Sequence, residues 1–152
     1  MKHERTYIFK NAVSRKQNEP AKVTFSGLGQ MEIGAAVEFG GSGEGLNPEE
    51  MFVAVINSCL MNTFLYFIRK FEIDILSYNS QASGQLEKQS DGFRFTNVEV
   101  MAKVQLPEEK FTEKIQEAGH LAEKYCLISK SVACSVNYQL EIEIKGSTHL
   151  GD

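Results

Sequence analysis

The sequence predicts an α+β fold in which short strands and two helices alternate along the chain. Segments of alternating apolar and polar residues indicate strands near both ends and in the middle. Between them lie an uncharged run, Met51–Ile68, and a segment after Pro107 with apolar residues at helical spacing. The order βββ-α-ββ-α-β is too rich in hairpins for a doubly wound parallel sheet and too mixed for separate domains, so we expect one domain over residues 1–152.

The composition agrees with one globular domain. The 152 residues are 42% hydrophobic and 24% charged, with a formal net charge of −4. The sixteen basic residues are scattered, which argues against nucleic acid as a partner. Three cysteines is an odd count for a secreted disulfide framework, and the N-terminus does not resemble a signal peptide. We therefore expect a reducing, cytoplasmic location.

Three short strands are expected in the N-terminal region. Thr6–Val13, Ala21–Ser26 and Gln30–Val37 favour strands, and Gly27-Leu28-Gly29 favours a turn before the third. This pattern predicts an N-terminal β-meander. The following segment, Gly40–Gly45, contains four glycines but lacks the lysine and helix pattern of a phosphate-binding loop.

The first helix should run from Pro48 to about Lys70. Asn47 is a favourable N-cap, proline suits the first helical position, and Glu50 completes a capping box. The run Met51–Ile68 reaches the lower length limit for a membrane span. Its centre, however, carries the polar or weakly polar residues Asn57, Ser58, Cys59, Asn62 and Thr63. We therefore expect no membrane span, and a dimer in which a second subunit covers this nearly all-apolar helix.

The second half of the chain predicts a hairpin, a helix and a final strand. Ile75–Glu87 and Phe93–Leu106 contain alternating segments joined by a turn. The second helix should start at Pro107, and a short helical turn should span 129–134. Val136–Ile144 alternates as the final strand.

Two cysteines lie in unlike surroundings. Cys59 is in the middle of the uncharged run, and Cys126 follows 67 positions later, at the polar end of the second helix. A thiol packed inside an apolar helix is usually inert, whereas two thiols close in space can form a redox centre. Taken singly, Cys59 is explained by core packing and Cys126 by a helix end. Cys134 is interpreted as a small buried hydrophobe.

A metal centre is not expected. Zinc sites need cysteines and histidines clustered at short spacing. His3, His120 and His149 lie far from Cys59 and from one another, and His120 is interpreted as a helix surface residue. We expect no cofactor.

Two segments around the cysteines carry a family resemblance, Asn47–Phe52 followed by Ser58-Cys59, and Ala122–Cys126 with Ser129. They resemble the OsmC/Ohr family of osmotically inducible and organic hydroperoxide resistance proteins. The resemblance extends over most of the chain, from Thr6 to Ile144. It implies an intertwined homodimer with active sites at the subunit boundary, which reduces peroxides. The apolar side chains expected around Cys59 would favour organic or fatty-acid hydroperoxides over hydrogen peroxide. The resemblance also implies an external dithiol reductant of the lipoyl type.

The resemblance also assigns roles to four residues. Cys59 attacks the peroxide, Cys126 resolves the sulfenic acid as a disulfide, and Glu49 and Arg15 take the places of the supporting glutamate and arginine. A thiolate in an apolar setting needs a nearby guanidinium, which Glu49 can hold by a bidentate pair. Glu49 precedes Cys59 by ten residues, about 15 Å along an unbroken helix. The partner subunit would therefore supply Glu49, with Arg15 a further candidate for the same origin.

The sequence departs from the family pattern beside Cys126, and one alternative function is left open. Leu127 stands where the family commonly has proline, which leaves the backbone beside Cys126 less restricted. The alternative function is a non-catalytic dimer of the same fold that holds a small ligand in an apolar cavity. The apolar residues expected around Cys59 are Phe52, Val55, Met61, Phe64 and Tyr66.

Overall fold

The computed structural model describes residues 5–146 and confirms the α+β class. The chain divides into two compact units, the first ending at Phe52 and the second beginning at Val53. The boundary lies within the first long helix.

The first unit contains a three-stranded antiparallel meander, as predicted. β1 (Asn11–Ser14) pairs with β2 (Ala21–Phe25), which pairs with β3 (Gly29–Ile33). The expected start of β1 at Thr6 was wrong, as was the expected end of β3 at Val37. Within the described chain, no strand pairs with residues 6–10, so their strand propensity has no ladder to join.

Backbone hydrogen bonds close the glycine-rich loop that follows β3. The Leu46 N–H donates to the Glu32 carbonyl at 3.0 Å, and the Gly34 N–H donates to the Leu46 carbonyl at 3.2 Å. A Cβ at Gly41 would lie 1.7 Å from the carbonyl oxygen of Ala35, so only glycine fits there. The loop returns the chain beside β3 before the helix begins.

The first helix, α1 (Pro48–Lys70), has the predicted bounds. Asn47 Oδ1 accepts a hydrogen bond from the Glu50 N–H at 2.7 Å, as expected of its N-cap. One stripe of the helix is buried, consisting of Ile56, Leu60, Phe64, Phe67 and Ile68. α1 is long and apolar enough to cross a membrane by length and composition alone, with 28% of that window buried. This is weak support for a span, because core helices of soluble proteins meet the same criteria.

The second unit contains a mixed three-stranded sheet. β4 (Ser77–Gln89) and β5 (Gly92–Leu106) form the predicted hairpin, and β6 (Ser135–Ile144) pairs parallel to β5. The parallel register begins with Asn97 opposite Ser135. Parallel strands need a crossover connection, which here consists of two helices.

These two helices are α2 (Thr112–Tyr125) and α3 (Leu127–Ser131). The expected start of the second helix at Pro107 was wrong, because a 3₁₀ turn at Glu109–Phe111 precedes α2. α2 approaches β6 closely at Gly119, where a Cβ would lie 3.1 Å from Leu140 Cδ2. The core of the second unit forms where α1, α2, β5 and β6 meet.

A chain of polar side chains links α1 to the sheet. The hydroxyls of Tyr138 and Tyr78 are 2.9 Å apart, Ser80 also hydrogen-bonds Tyr78, and the Ser80 hydroxyl donates to Asn57 Oδ1 at 2.7 Å. Burial raises the pKa of both tyrosines, and the hydrogen bond and charge of Tyr78 raise that of Tyr138 further. Both phenols therefore stay protonated at neutral pH, and the hydrogen bonds between these side chains are kept.

Close packing of α1 on β4 gives a stability prediction. A Cβ at Gly84 would lie 2.5 Å from Val53 Cγ2 and 2.8 Å from the Phe95 ring. Gly84→Ala should lower the free energy of unfolding by about 1–3 kcal/mol because the contact becomes overpacked. Urea unfolding followed by circular dichroism measures this, with the exposed Ser83→Ala as the neighbouring control. Equal stability of the two variants would contradict this packing.

Candidate functional site

The structure brings the side chains of Cys59 and Cys126 together. Cys59 is half-buried on α1, whereas Cys126 is buried at the junction of α2 and α3. Their side chains are close enough for Cys59 to act on Cys126 through a hydrogen bond and through charge. Both are free thiols. Core packing, which would explain Cys59 taken singly, is therefore not its position in the second unit, because Cys59 is only half-buried.

Ser129 is the main polar neighbour of Cys126. Its hydroxyl donates to Cys126 Sγ at 3.1 Å, and its backbone N–H donates to the same sulfur at 3.5 Å. Burial raises the pKa of Cys126 above its ordinary value, the two bonds from Ser129 oppose that shift, and Cys59 adds to it. The net effect is upward, so Cys126 is protonated at neutral pH.

A groove of about 1010 Å³ opens beside the thiols. Residues of α1 from Val55 to Lys70 line it at helical spacing, with Cys59 among them. Leu121 and Tyr125 of α2 contribute the opposite wall. Cys126 is not among the lining residues, so a molecule in the groove meets Cys59 first.

The groove differs in part from the apolar surroundings expected for Cys59. Val55 and Tyr66 line it as expected. Phe64 belongs to the core instead, and Phe52 and Met61 are not among the lining residues. Sequence reasoning missed the wall from α2 and the chain after it, formed by Leu121, Tyr125, Leu127 and Ile128. The spacing of four between Leu121 and Tyr125 indicated a helix, but nothing in that pattern indicated that these side chains line a groove.

Glu49 and Arg15 are not brought together. Glu49 lies in the first turn of α1, and its Oε2 atom is buried without a hydrogen-bond partner. Arg15 is exposed just after β1, and within residues 5–146 no ion pair joins it to Glu49. A buried carboxylate oxygen without a donor is costly. The missing donor is one that the described part of this chain does not supply.

The remaining predicted residues have mixed outcomes. His120 is exposed on α2, as predicted, whereas Cys134 is half-buried before β6 and not the small buried hydrophobe expected. Among the described residues, no group of three or more His, Cys, Asp or Glu side chains is arranged to hold a metal ion.

Leu127 occupies a position that would also accept proline. It is the first residue of α3, and Cys126 before it has φ −61° and ψ 113°, an extended conformation that suits a residue preceding proline. The helix junction thus forms without the restriction that a proline ring would impose. Leucine in place of proline at position 127 thus leaves the backbone less restricted but does not change the local fold.

The profile of the family described as OsmC-like protein matches residues 41–141, a segment that includes both Cys59 and Cys126. This chain belongs to the OsmC-like protein family. The recognised family resemblance is thereby confirmed. No curated protein matches the sequence significantly.

Solved structures of this family share the fold over nearly the whole chain. An OsmC-like protein of unknown function from Vibrio cholerae is 25% identical, with a TM-score of 0.78, covering 89% of this chain and 99% of its own. An organic hydroperoxide resistance protein from Elizabethkingia anophelis is 20% identical, with a TM-score of 0.71 over 95% of this chain and 99% of its own. The organic hydroperoxide resistance protein of Bacillus subtilis is 22% identical, with a TM-score of 0.62 over 90% and 98%.

The hydrogen bonds at Cys126 give a pH prediction. Ser129→Ala removes a donor that stabilises the thiolate, so the pKa of Cys126 should rise further and its ionisation should move to higher pH. Ultraviolet thiolate absorbance against pH measures this in a Cys59→Ser, Cys134→Ser background. Ser131→Ala is the control, since that hydroxyl bonds the Leu127 carbonyl on the same short helix. An unmoved titration in Ser129→Ala would overturn this role.

Proposed function

We propose that this protein reduces organic hydroperoxides to alcohols with the thiols of Cys59 and Cys126. The observation that carries the proposal is the side-by-side placement of a thiol lining a groove and a second, buried thiol. Membership of the OsmC-like family and the names of the similar Elizabethkingia and Bacillus proteins support the same chemistry.

The proposed reaction has three steps. The Cys59 thiolate attacks the terminal peroxide oxygen, forming an S–O bond as the O–O bond breaks. Cys59 is thereby oxidised to a sulfenic acid, and the alkoxide takes a proton and leaves as the alcohol. Cys126 then attacks the sulfenic sulfur of Cys59, forming an S–S bond while the sulfenic oxygen leaves as water. An external dithiol, of lipoyl type by family resemblance, reduces this disulfide and is itself oxidised to a disulfide.

The surroundings of the two thiols suit different roles. Cys59 faces the groove where a peroxide would enter, whereas Cys126 is buried and its pKa is raised. A thiol that stays protonated competes poorly for the peroxide, because the thiolate is the nucleophile. Cys126 therefore reacts with the sulfenic acid that forms on Cys59 and not with the peroxide.

The groove favours peroxides that carry a hydrocarbon group. Tyr66, Phe67, Leu121 and Tyr125 give it largely apolar walls. Removing hydrocarbon from water contributes about 25 cal/mol per Å² of buried area. Hydrogen peroxide has no such area to bury, so organic and fatty-acid hydroperoxides should be preferred.

We place this reaction in a cytoplasmic homodimer. Within residues 5–52, only Val23 and Ala36 are buried apolar residues, while Phe9 is 92% exposed and Ile8 76% exposed. α1 also has most of its apolar length uncovered, and Glu49 has a buried oxygen without a donor. A second copy would cover these surfaces and supply a guanidinium, with Arg15 as its source in our proposal.

Mixed dimers test whether Glu49 acts on the partner's Cys59. If it does, a dimer of one Cys59→Ser chain and one Glu49→Gln chain contains one site with both changes and one with neither. Such mixed dimers, purified with two different tags, should regain about half of the wild-type peroxidase activity, while each parent dimer is inactive or nearly so. No recovery on mixing would show that Glu49 serves its own chain.

Mass spectrometry after one equivalent of cumene hydroperoxide tests the thiol pair itself. Wild type should form a Cys59–Cys126 disulfide, and Cys126→Ser should accumulate a sulfenic or over-oxidised acid on Cys59. Cys134→Ser is the matched control and should still form the disulfide. Unmodified thiols in wild type and in Cys126→Ser would instead favour the non-catalytic, ligand-binding dimer, for which the groove alone suffices.

A further inference from the structure

We propose that Lys70 binds the carboxylate of a fatty-acid hydroperoxide whose hydrocarbon chain lies along the groove toward Cys59. This inference rests on the proposed function and deepens it, because it names a residue that selects acidic, long-chain peroxides. It follows from the length of the groove, the charges at its far end and the side chains between.

The groove extends along α1 from the thiol to Lys70. Both Cys59 and Lys70 line it, and they are eleven residues apart on one unbroken helix. At about 1.5 Å per residue, their backbones are separated by about 16 Å. A short alkyl hydroperoxide reacting at Cys59 would not reach Lys70, whereas a long acyl chain would.

Lys70 is a cation available to a ligand. Glu117 also lines the groove, but its Oε2 pairs with Lys114 Nζ at 2.8 Å. Lys114 in turn lies 4.8 Å over the ring of Phe71, the residue after Lys70. No carboxylate within residues 5–146 forms an ion pair with Lys70. At the far end of the groove, the charge of Lys70 is therefore not paired with any carboxylate of the described residues.

Aromatic side chains occupy the interval between the thiol and the cation. The rings of Tyr66 and Phe67 have centroids 5.1 Å apart, and those of Phe67 and Tyr125 are 5.9 Å apart. All three residues line the groove. A ligand with a hydrocarbon middle and one anionic end matches this sequence of surfaces, because each part meets the side chains that stabilise it.

Lys70→Met tests the inference, with Arg69→Met as the matched control. Arg69 is the preceding residue, is exposed and does not line the groove, so its loss removes the same charge from the same helical turn. The substrates are a linoleic acid hydroperoxide, its methyl ester and cumene hydroperoxide. Lys70→Met should lower kcat/KM for the free acid about threefold to fivefold, while the other two substrates and Arg69→Met stay at wild-type values.

Salt provides an independent measurement of the same contact. The wild-type preference for the free acid over its ester should shrink as ionic strength rises, because salt screens an exposed charge pair. The preference in Lys70→Met should be small at every salt concentration. A salt-independent preference in wild type would contradict a charge contact.

The remaining outcomes separate this inference from the function on which it depends. Wild type without cumene hydroperoxide turnover would remove the proposed function and this inference with it. Normal cumene turnover with an unchanged acid-to-ester ratio in Lys70→Met, or an equal loss in Arg69→Met, would overturn the role of Lys70 alone. A changed sedimentation coefficient of Lys70→Met would show that a second copy of the chain occupies this end of the groove, and would also overturn it.

Discussion

The packing of one apolar stripe of α1 sets the direction of every groove-lining side chain on that helix. Ile56, Leu60 and Phe64 are fully buried, which fixes the rotation of the helix about its axis. With 3.6 residues per turn, Cys59 then lies on the flank beside α2, where Cys126 ends the second helix. The hydrogen bond from Ser80 to Asn57 holds the same rotation from the side of β4. A rotation of α1 that separated the thiols would also expose this buried stripe.

The two thiols differ in their surroundings, because Cys126 is buried and hydrogen-bonded whereas Cys59 lines the groove. Cys126 has lost its contact with solvent and gained two donors from Ser129, whereas Cys59 remains beside open space. Glu49 differs from Cys126 in the same respect, because its buried Oε2 atom has no hydrogen-bond donor among residues 5–146. Among residues 5–146, the chain thus satisfies Cys126 internally and leaves the Glu49 oxygen without a donor.

Patterns among neighbouring residues correctly predicted the elements whose ends depend only on neighbouring residues. The cap at Asn47 and the uncharged run determined α1, and the alternating segments determined the hairpin, because these patterns concern neighbouring residues. The start of β1 was wrong, because alternation reports a strand preference and not the presence of a pairing strand. The meeting of Cys59 with Cys126 required a family resemblance. The α2 wall of the groove could not be foreseen, since it depends on the pairing of β6 with β5, about forty residues apart in sequence.

The parallel pairing of β5 with β6 also governs when the thiols meet during folding. That ladder joins Asn97 to Ser135 across the whole α2–α3 crossover, and such a non-local pairing must first offset the entropy of closing the loop between the strands. Cys126 belongs to the crossover and is carried into place as the sheet closes. A nascent or partly folded chain therefore holds two distant thiols, and Cys59 and Cys126 lie together only in a chain that has completed its sheet.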